Sequence, residues 1–136
     1  MNLSLTNTQA SSVFLDANIV LEIILERQKQ QMAKDLLYKY SGNLNISSLT
    51  AHLITYFGLK RVDLLVLRQF LADYMILSLE SIDFEWAFNN IRNNDFEDAL
   101  QLSVAIRNGC DSFITLDKTL FDTYSNLKNI SVQLLS

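Results

Sequence analysis

Asp16, Asp98 and Asp117 stand in three distant segments, each where an apolar run meets a polar turn. Asp16 closes Val13-Phe14-Leu15, Asp98 opens the apolar stretch Ala99 to Ile106, and Asp117 comes just after Phe113-Ile114-Thr115. Carboxylates drawn together from remote segments repel one another, so such a cluster persists only with a cation or with protons taken up. Hard oxygen ligands that leave room for water suit Mg²⁺ or Mn²⁺. Ions held this way commonly activate a water and steady the oxyanions of an in-line attack on phosphate. Each acid also has a plain structural explanation: Asp16 and Asp98 as helix caps, Asp117 as a turn residue. Taken together, the three favour a metal site made by Asp16, Asp98 and Asp117.

The segments that must position these acids alternate between strand and helix. Val13-Phe14-Leu15 reads as a buried strand, and Asn18 opens a helix that ends near Glu26-Arg27. A second helix runs from Gln28 to Tyr40 and stops at Ser41-Gly42-Asn43. Leu44 to Ser47 alternates like a short strand, and Ser48 or Thr50 caps a helix that Gly58 ends or bends. Arg61 to Tyr74 reads as an apolar helix, Met75 to Leu79 as a strand and Ser81 to Ile91 as a helix. Asn93-Asn94-Asp95 is a break. The helix begun by Asp95-Phe96-Glu97-Asp98-Ala99-Leu100-Gln101 ends at Asn108-Gly109. The strand Ser112 to Thr115, a helical turn around Leu120-Phe121 and the strand Ile130 to Leu134 complete the chain. Strands and helices alternating through short turns predict an α/β fold with a parallel sheet and helices on both faces. The carboxyl ends of such strands are where ligands gather.

The 136 residues suffice for a single domain with a core, and 49% of them are apolar. The first 12 residues are polar and read as a flexible lead-in. No basic segment precedes an apolar stretch at the N-terminus and no apolar run is long enough for a membrane span, so neither a signal peptide nor a membrane anchor is expected. The one cysteine, Cys110, cannot form an internal disulfide, which fits a reducing, cytoplasmic setting. A net charge of −4 argues against gripping duplex nucleic acid by phosphate neutralisation alone. It does not argue against nucleic acid altogether, since carboxylates neutralised by a divalent ion distort the count.

Phe14-Leu15-Asp16-Ala17-Asn18 resembles the D-x-N opening of the PIN-domain family. Asp95 to Gln101 and Phe113-Ile114-Thr115-Leu116-Asp117 resemble its D-A and T-x-D segments, and Ile46-Ser47-Ser48-Leu49-Thr50 its strand-to-helix passage. The resemblance runs from about Val13 onward and rests on the order and spacing of short motifs. It implies a three-layer α/β/α sandwich with a central, mostly parallel sheet over a single domain, 1–136. It further implies a Mg²⁺- or Mn²⁺-dependent endoribonuclease of the VapC toxin type, with an RNA substrate, an antitoxin partner and a homodimeric state. On the matching positions, Asp16 and Asp98 would be the main metal ligands and Asp117 a third acid, while Asn18 and Thr115 would orient them.

Three further residues are secondary candidates. Glu97 adjoins Asp98, but neighbours on a helix point about 100° apart. Many family members carry a glutamate where this chain has Leu53. His52, the only histidine, is either a substitute ligand or an ordinary exposed or core-edge residue. Glu22 on the first helix either lends a carboxylate or occupies an exposed or partly screened helix position. Lys118 is placed to meet a phosphate at the rim, whereas Lys60, Arg61, Arg68, Arg27 and Lys29 are scattered as on a solvated surface. Phe84, Trp86 and Phe88 either stack bases or belong to the core. The missing acid at Leu53 keeps a second function open, a catalytically weakened PIN-like module for binding or assembly. A DNA-directed nuclease of related fold is a third.

Overall fold

Val13, Phe14 and Leu15 are all buried, the pattern of a strand covered on both faces. In the computed structural model, which describes residues 11–136, this strand, β1 (Val13–Leu15), is the centre of the sheet. It pairs in parallel with β2 (Leu44–Ser47) on one side and β4 (Ser112–Thr115) on the other. β3 (Met75–Leu77) adds to β2 and β5 (Ser131–Leu134) to β4, both parallel, so the order across the five strands is β3-β2-β1-β4-β5. Among the described residues the sheet is wholly parallel.

Side chains alternate along β1 and split the core in two. Val13 and Leu15 face a cluster with Ile19 and Val20 of α1 (Ala17–Ile24), Leu36 of α2 (Gln30–Lys39), Ile54 of α3 (Ser48–Gly58) and Leu67 of α4 (Leu64–Leu71). Phe14 faces the opposite way. It stacks on Phe113 at 5.4 Å and packs with Leu102 of α6 (Phe96–Arg107) and Leu120 of α7 (Lys118–Tyr124). α5 (Ser81–Asn90) lies against α6 through Ala87, Ala99 and Leu100. The architecture is the expected α/β/α sandwich. Of the proposed lead-in, residues 1–10 lie outside the described residues. Ser12 is tied down: its N–H donates to Asp111 Oδ2 at 2.9 Å and its carbonyl accepts from Asp111 N at 2.8 Å.

The start of α4 differs from expectation for a local reason. The apolar run from Arg61 becomes helical only after Asp63, whose extended backbone (φ −71°, ψ 155°) makes it the N-cap of α4. Gly58 ends α3 as the sequence indicates, and a Cβ there would press on the Leu67 side chain, so α3 and α4 approach closely at this residue. Gly109, at φ +69°, ends α6 as the sequence indicates; Cys110 N donates to Ala105 O and Gly109 N to Ile106 O, the Schellman pattern.

α5 and α6 are pinned by a pair invisible in the sequence. Asp83 is fully buried and accepts from Arg107 Nε at 3.0 Å, Arg107 Nη2 at 2.9 Å and Ser103 Oγ at 2.8 Å. The Glu80 N–H also donates to it, at 2.8 Å. Burial pushes this carboxyl up, but the Arg107 guanidinium and the other donors outweigh it and hold the group below its ordinary value of 3.8. Its contribution to stability is therefore present above about pH 3.8 and lost as pH falls below it. Arg107→Ala strands that charge and is expected to cost about 3–5 kcal/mol at pH 7. Urea unfolding followed by circular dichroism measures it, and a loss under about 1 kcal/mol would contradict a buried, paired carboxylate.

Candidate functional site

The register of the sheet sets the site. Leu15 pairs with Ile114, so the next residues, Asp16 and Thr115, stand level at the carboxyl ends of β1 and β4. Phe14 pairs with Asn45, which carries Ser47 level with Asp16 on the other side. Asp16 is extended (φ −62°, ψ 149°) and caps α1, its Oδ1 accepting from Ala17 N at 2.8 Å. Its Oδ2 accepts from Thr115 Oγ1 at 2.7 Å and from Asn18 Nδ2 at 3.0 Å. Asn18 also bridges to the far strand, with its Oδ1 accepting from Leu116 N at 3.2 Å. Asn18 and Thr115 thus hold the Asp16 carboxylate in one orientation.

Asp98 lies buried in the first turn of α6, where its Oδ2 accepts from Asn93 Nδ2 at 3.4 Å. Asp95 caps the same helix, accepting from Asp98 N at 3.2 Å. Asp117 caps α7 through Oδ1, taking Thr119 N at 2.9 Å and Leu120 N at 3.3 Å. Capping and site chemistry are therefore compatible: each cap bond uses one carboxylate oxygen, and Asp98 Oδ1 and Asp117 Oδ2 accept none from the described residues. Asp95, Asp98 and Asp117 line one shallow cavity with Asn93, Phe96 and Thr119.

The acids feel one another. Burial raises Asp16 most, the bonds from Thr115 and Ala17 lower it, and the charges of Glu97 and Asp117 raise it again, to about 6. Burial, then the charges of Asp16 and Asp95, push Asp98 up to about 7, against the Asn93 bond that lowers it and with Asp117 raising it further. Glu97, on the outer side of the same turn, is raised by partial burial and by Asp95. The ion pairs among the described residues are Arg107 with Asp83 and Glu80, and Lys118 with Asp122, so no basic side chain neutralises the cluster. Among those residues no three His, Cys, Asp or Glu side chains stand close enough to clasp one ion. Uncompensated carboxylates have reason to stand apart. The set offers hard oxygens, excess negative charge and open lone pairs, a chemistry that fits a hard divalent cation.

The other sequence candidates lie elsewhere. Glu22 accepts from Lys29 N at 2.7 Å in the turn between α1 and α2. His52 is exposed on α3 beside Tyr56, and Leu53 is partly buried. Lys118 is exposed and pairs with Asp122 at 2.8 Å. Phe84 and Phe88 are 39% and 71% exposed rather than in the core, Trp86 is half-buried, and both phenylalanines lie against Phe96. Sequence reasoning read Asn93 only as part of a break and Asp95 only as the start of a helix, and made neither a site candidate. The signal available was Asp95 three residues before Asp98, the spacing of a helix cap.

Comparison with known proteins bears on the whole of this arrangement. The chain matches the PIN domain family over residues 13–126. No curated protein matches it by sequence. Among solved structures it is similar to a toxin–antitoxin complex from Klebsiella pneumoniae, at 18% identity and TM-score 0.69 over 88% of this chain and 95% of that one. It is similar to VapC20 of Mycobacterium tuberculosis, a sarcin–ricin loop cleaving toxin, at 13% identity and TM-score 0.66 over 88% and 98%. A third is VapBC2 of Rickettsia felis bound to a DNA fragment from its promoter, at 17% identity and TM-score 0.58 over 91% and 98%. At these identities the likeness is one of fold. The family match, by contrast, reaches from β1 through α7 and takes in Asp16, Asp98 and Asp117 together with the strands and helices that carry them. The chain belongs to the PIN domain family.

Proposed function

We propose that the protein is an endoribonuclease that works with Mg²⁺ or Mn²⁺, the toxin of a toxin–antitoxin pair. The observation that supports this is that the charges of Asp16, Asp98 and Asp117 act on one another at the carboxyl rim of the sheet, with no ion pair to any of them among the described residues. Asp16 and Asp98 would be the main ligands of the ion, with Asp117 acting directly or through water; the ion when bound lowers the pKa of a water and stabilises negative charge on phosphate. Thr115 and Asn18 keep Asp16 from swinging away. Asn93 steadies Asp98, and the unbonded Asp117 Oδ2 remains free at the cavity. The shallow, open cavity admits an extended strand more readily than it encloses a small molecule.

An antitoxin partner draws support from the solved toxin–antitoxin complexes that share the fold. A homodimer and an antitoxin would each cover apolar surface, and Leu64, Leu65, Val66 and Met75 are 48–64% exposed. No helix among the described residues is long and apolar enough to cross a membrane. We place the protein in the cytoplasm with its RNA substrate.

The test is cleavage of single-stranded RNA and DNA of equal sequence in Mn²⁺, in Mg²⁺ and in chelator. Cleavage of RNA that chelator abolishes is expected; cleavage that persists in chelator would defeat the assignment. A second reading, a weakened module for binding or assembly, is favoured by Leu53 and by the exposed His52. It predicts RNA binding with no cleavage in any ion. Thr115→Val probes the support of Asp16, since it removes the 2.7 Å bond while keeping the shape of the side chain. Cleavage is expected to fall about 10–100-fold, the usual cost of losing a group that orients a ligand. Single-turnover kinetics at saturating Mn²⁺ measures this, and a rate equal to wild type would remove Thr115 from the site.

A further inference from the structure

Gln101 is 1% exposed in α6, three residues beyond Asp98 and so on the same helix face. Its Nε2 donates to Thr50 Oγ1 at 2.8 Å, but its Oε1 meets no donor among the described residues. A buried carbonyl oxygen without a partner is rare and costly, and it calls for a water, an ion or a functional task. Its surroundings narrow the choice. Thr50 lies in the first turn of α3, its N–H on Ser47 Oγ at 3.1 Å and its hydroxyl 3.4 Å from the same oxygen. Ser47 ends β2 level with Asp16 on β1. The carboxamide therefore stands between Asp98, on its own helix, and the strand end beside Asp16. On α3, the position where the family resemblance expects an acid is Leu53, a side chain with no oxygen to offer.

We propose, on the metal-dependent reading above, that Gln101 is a positioning residue of the acid site. Its Oε1 accepts a hydrogen bond from the water shell of the divalent cation, and so stands in for the acid absent at Leu53. A neutral acceptor suits this position. Asp16 and Asp98 already repel each other, and a further buried carboxylate would add charge where water cannot screen it. Thr50 fixes the orientation of the amide, as groups around a ligand sphere commonly do.

The test is Mn²⁺ affinity, read by electron paramagnetic resonance on the RNA-free protein at pH 8, together with the melting temperature without cation. Gln101→Met keeps the volume and removes the oxygen; it is expected to bind Mn²⁺ about 10–100-fold more weakly, with a melting temperature equal to or above wild type. Affinity within about twofold of wild type overturns the proposal. Gln101→Glu keeps an oxygen and is expected to bind Mn²⁺ at least as tightly as wild type; binding about tenfold or more weaker than wild type overturns it too. Should Gln101→Met fail to fold, Gln101→Glu decides alone. Asp98→Asn separates the two levels of the argument. If it also leaves Mn²⁺ affinity unchanged, the metal site itself is wrong; if it loses Mn²⁺ while Gln101→Met does not, only the role of Gln101 is wrong.

Discussion

Asp98→Asn is expected to lower RNA cleavage about 10³-fold or more and, in the same protein, to raise the cation-free melting temperature at pH 8. The two effects share one cause. The folded protein holds Asp98 near pKa 7 against an ordinary 3.8, because burial and the charges of Asp16 and Asp95 disfavour the carboxylate. An acid whose folded pKa is raised loses stability as pH climbs, since the unfolded chain gives up its proton first. At about 1.4 kcal/mol per pKa unit, ionised Asp98 costs the fold on the order of a few kcal/mol above pH 7. Asparagine removes the charge and keeps the shape. Its stabilisation should be absent near pH 4, grow as pH rises and level off above about 7, amounting to about 5 °C or more at pH 8. Asp16 and Asp98 titrate as a coupled pair, so the midpoint belongs to both. Thermal melts of both proteins across pH, run in chelator, give the curve. A variant that melts lower than wild type at pH 8 would show that Asp98 is a structural carboxylate, and unchanged cleavage would remove it from the chemistry.

Such a trade of stability for charge also explains what the sequence made legible. Asp16 and Asp117 could be placed at one rim because each follows a short apolar strand, and parallel strands must end on the same side. The capping alternative was read for Asp16 and Asp98; Asp16 does cap α1, but Asp95 rather than Asp98 caps α6, and Asp117, read as a turn residue, caps α7. Periodicity failed where it asked which apolar face is covered. It marks α4 as apolar but does not say that Leu67 alone is buried while Leu64, Leu65 and Val66 look outward. The same limit left Phe84 and Phe88 open between core and surface, and they are exposed. Asp83 was out of reach for a different reason: its partner Arg107 is 24 residues away, and no local pattern links them. α6 carried a usable sign that was not followed. A helix apolar nearly all round is buried nearly all round, so Asp98, Gln101 and Ser103 within it had to be buried too. Buried polar groups need partners. Ser103 finds Asp83, Gln101 finds only half of its own, and Asp98 finds one weak bond.

The second large effect is the response of stability to a divalent cation, which is expected to fade as pH falls. Without cation, wild-type stability should fall between about pH 4 and pH 7, as Asp16 (about 6) and Asp98 (about 7) are forced to ionise inside the fold while their unfolded counterparts already have. Mn²⁺ or Mg²⁺ binds the ionised pair and only in the folded state, so it should recover that loss where the pair is ionised. At a concentration about 100 times Kd the recovery is about 2.7 kcal/mol, several degrees of melting temperature at pH 8. At pH 5 both groups hold protons, and each must be expelled before the ion can bind. With two protons displaced, affinity falls up to about 100-fold per pH unit below the lower pKa, and the same cation concentration should then raise the melting temperature little. Calorimetry offers an independent check, because Mn²⁺ binding at pH 6.5 should release protons into the buffer and its apparent heat should change with the buffer's ionisation enthalpy. An equal shift at pH 5 and pH 8 would mean that the ion binds groups other than these acids. No shift at pH 8, where both acids are ionised, would mean that the rim binds no metal, and the proposed nuclease would lose the cation on which its chemistry depends.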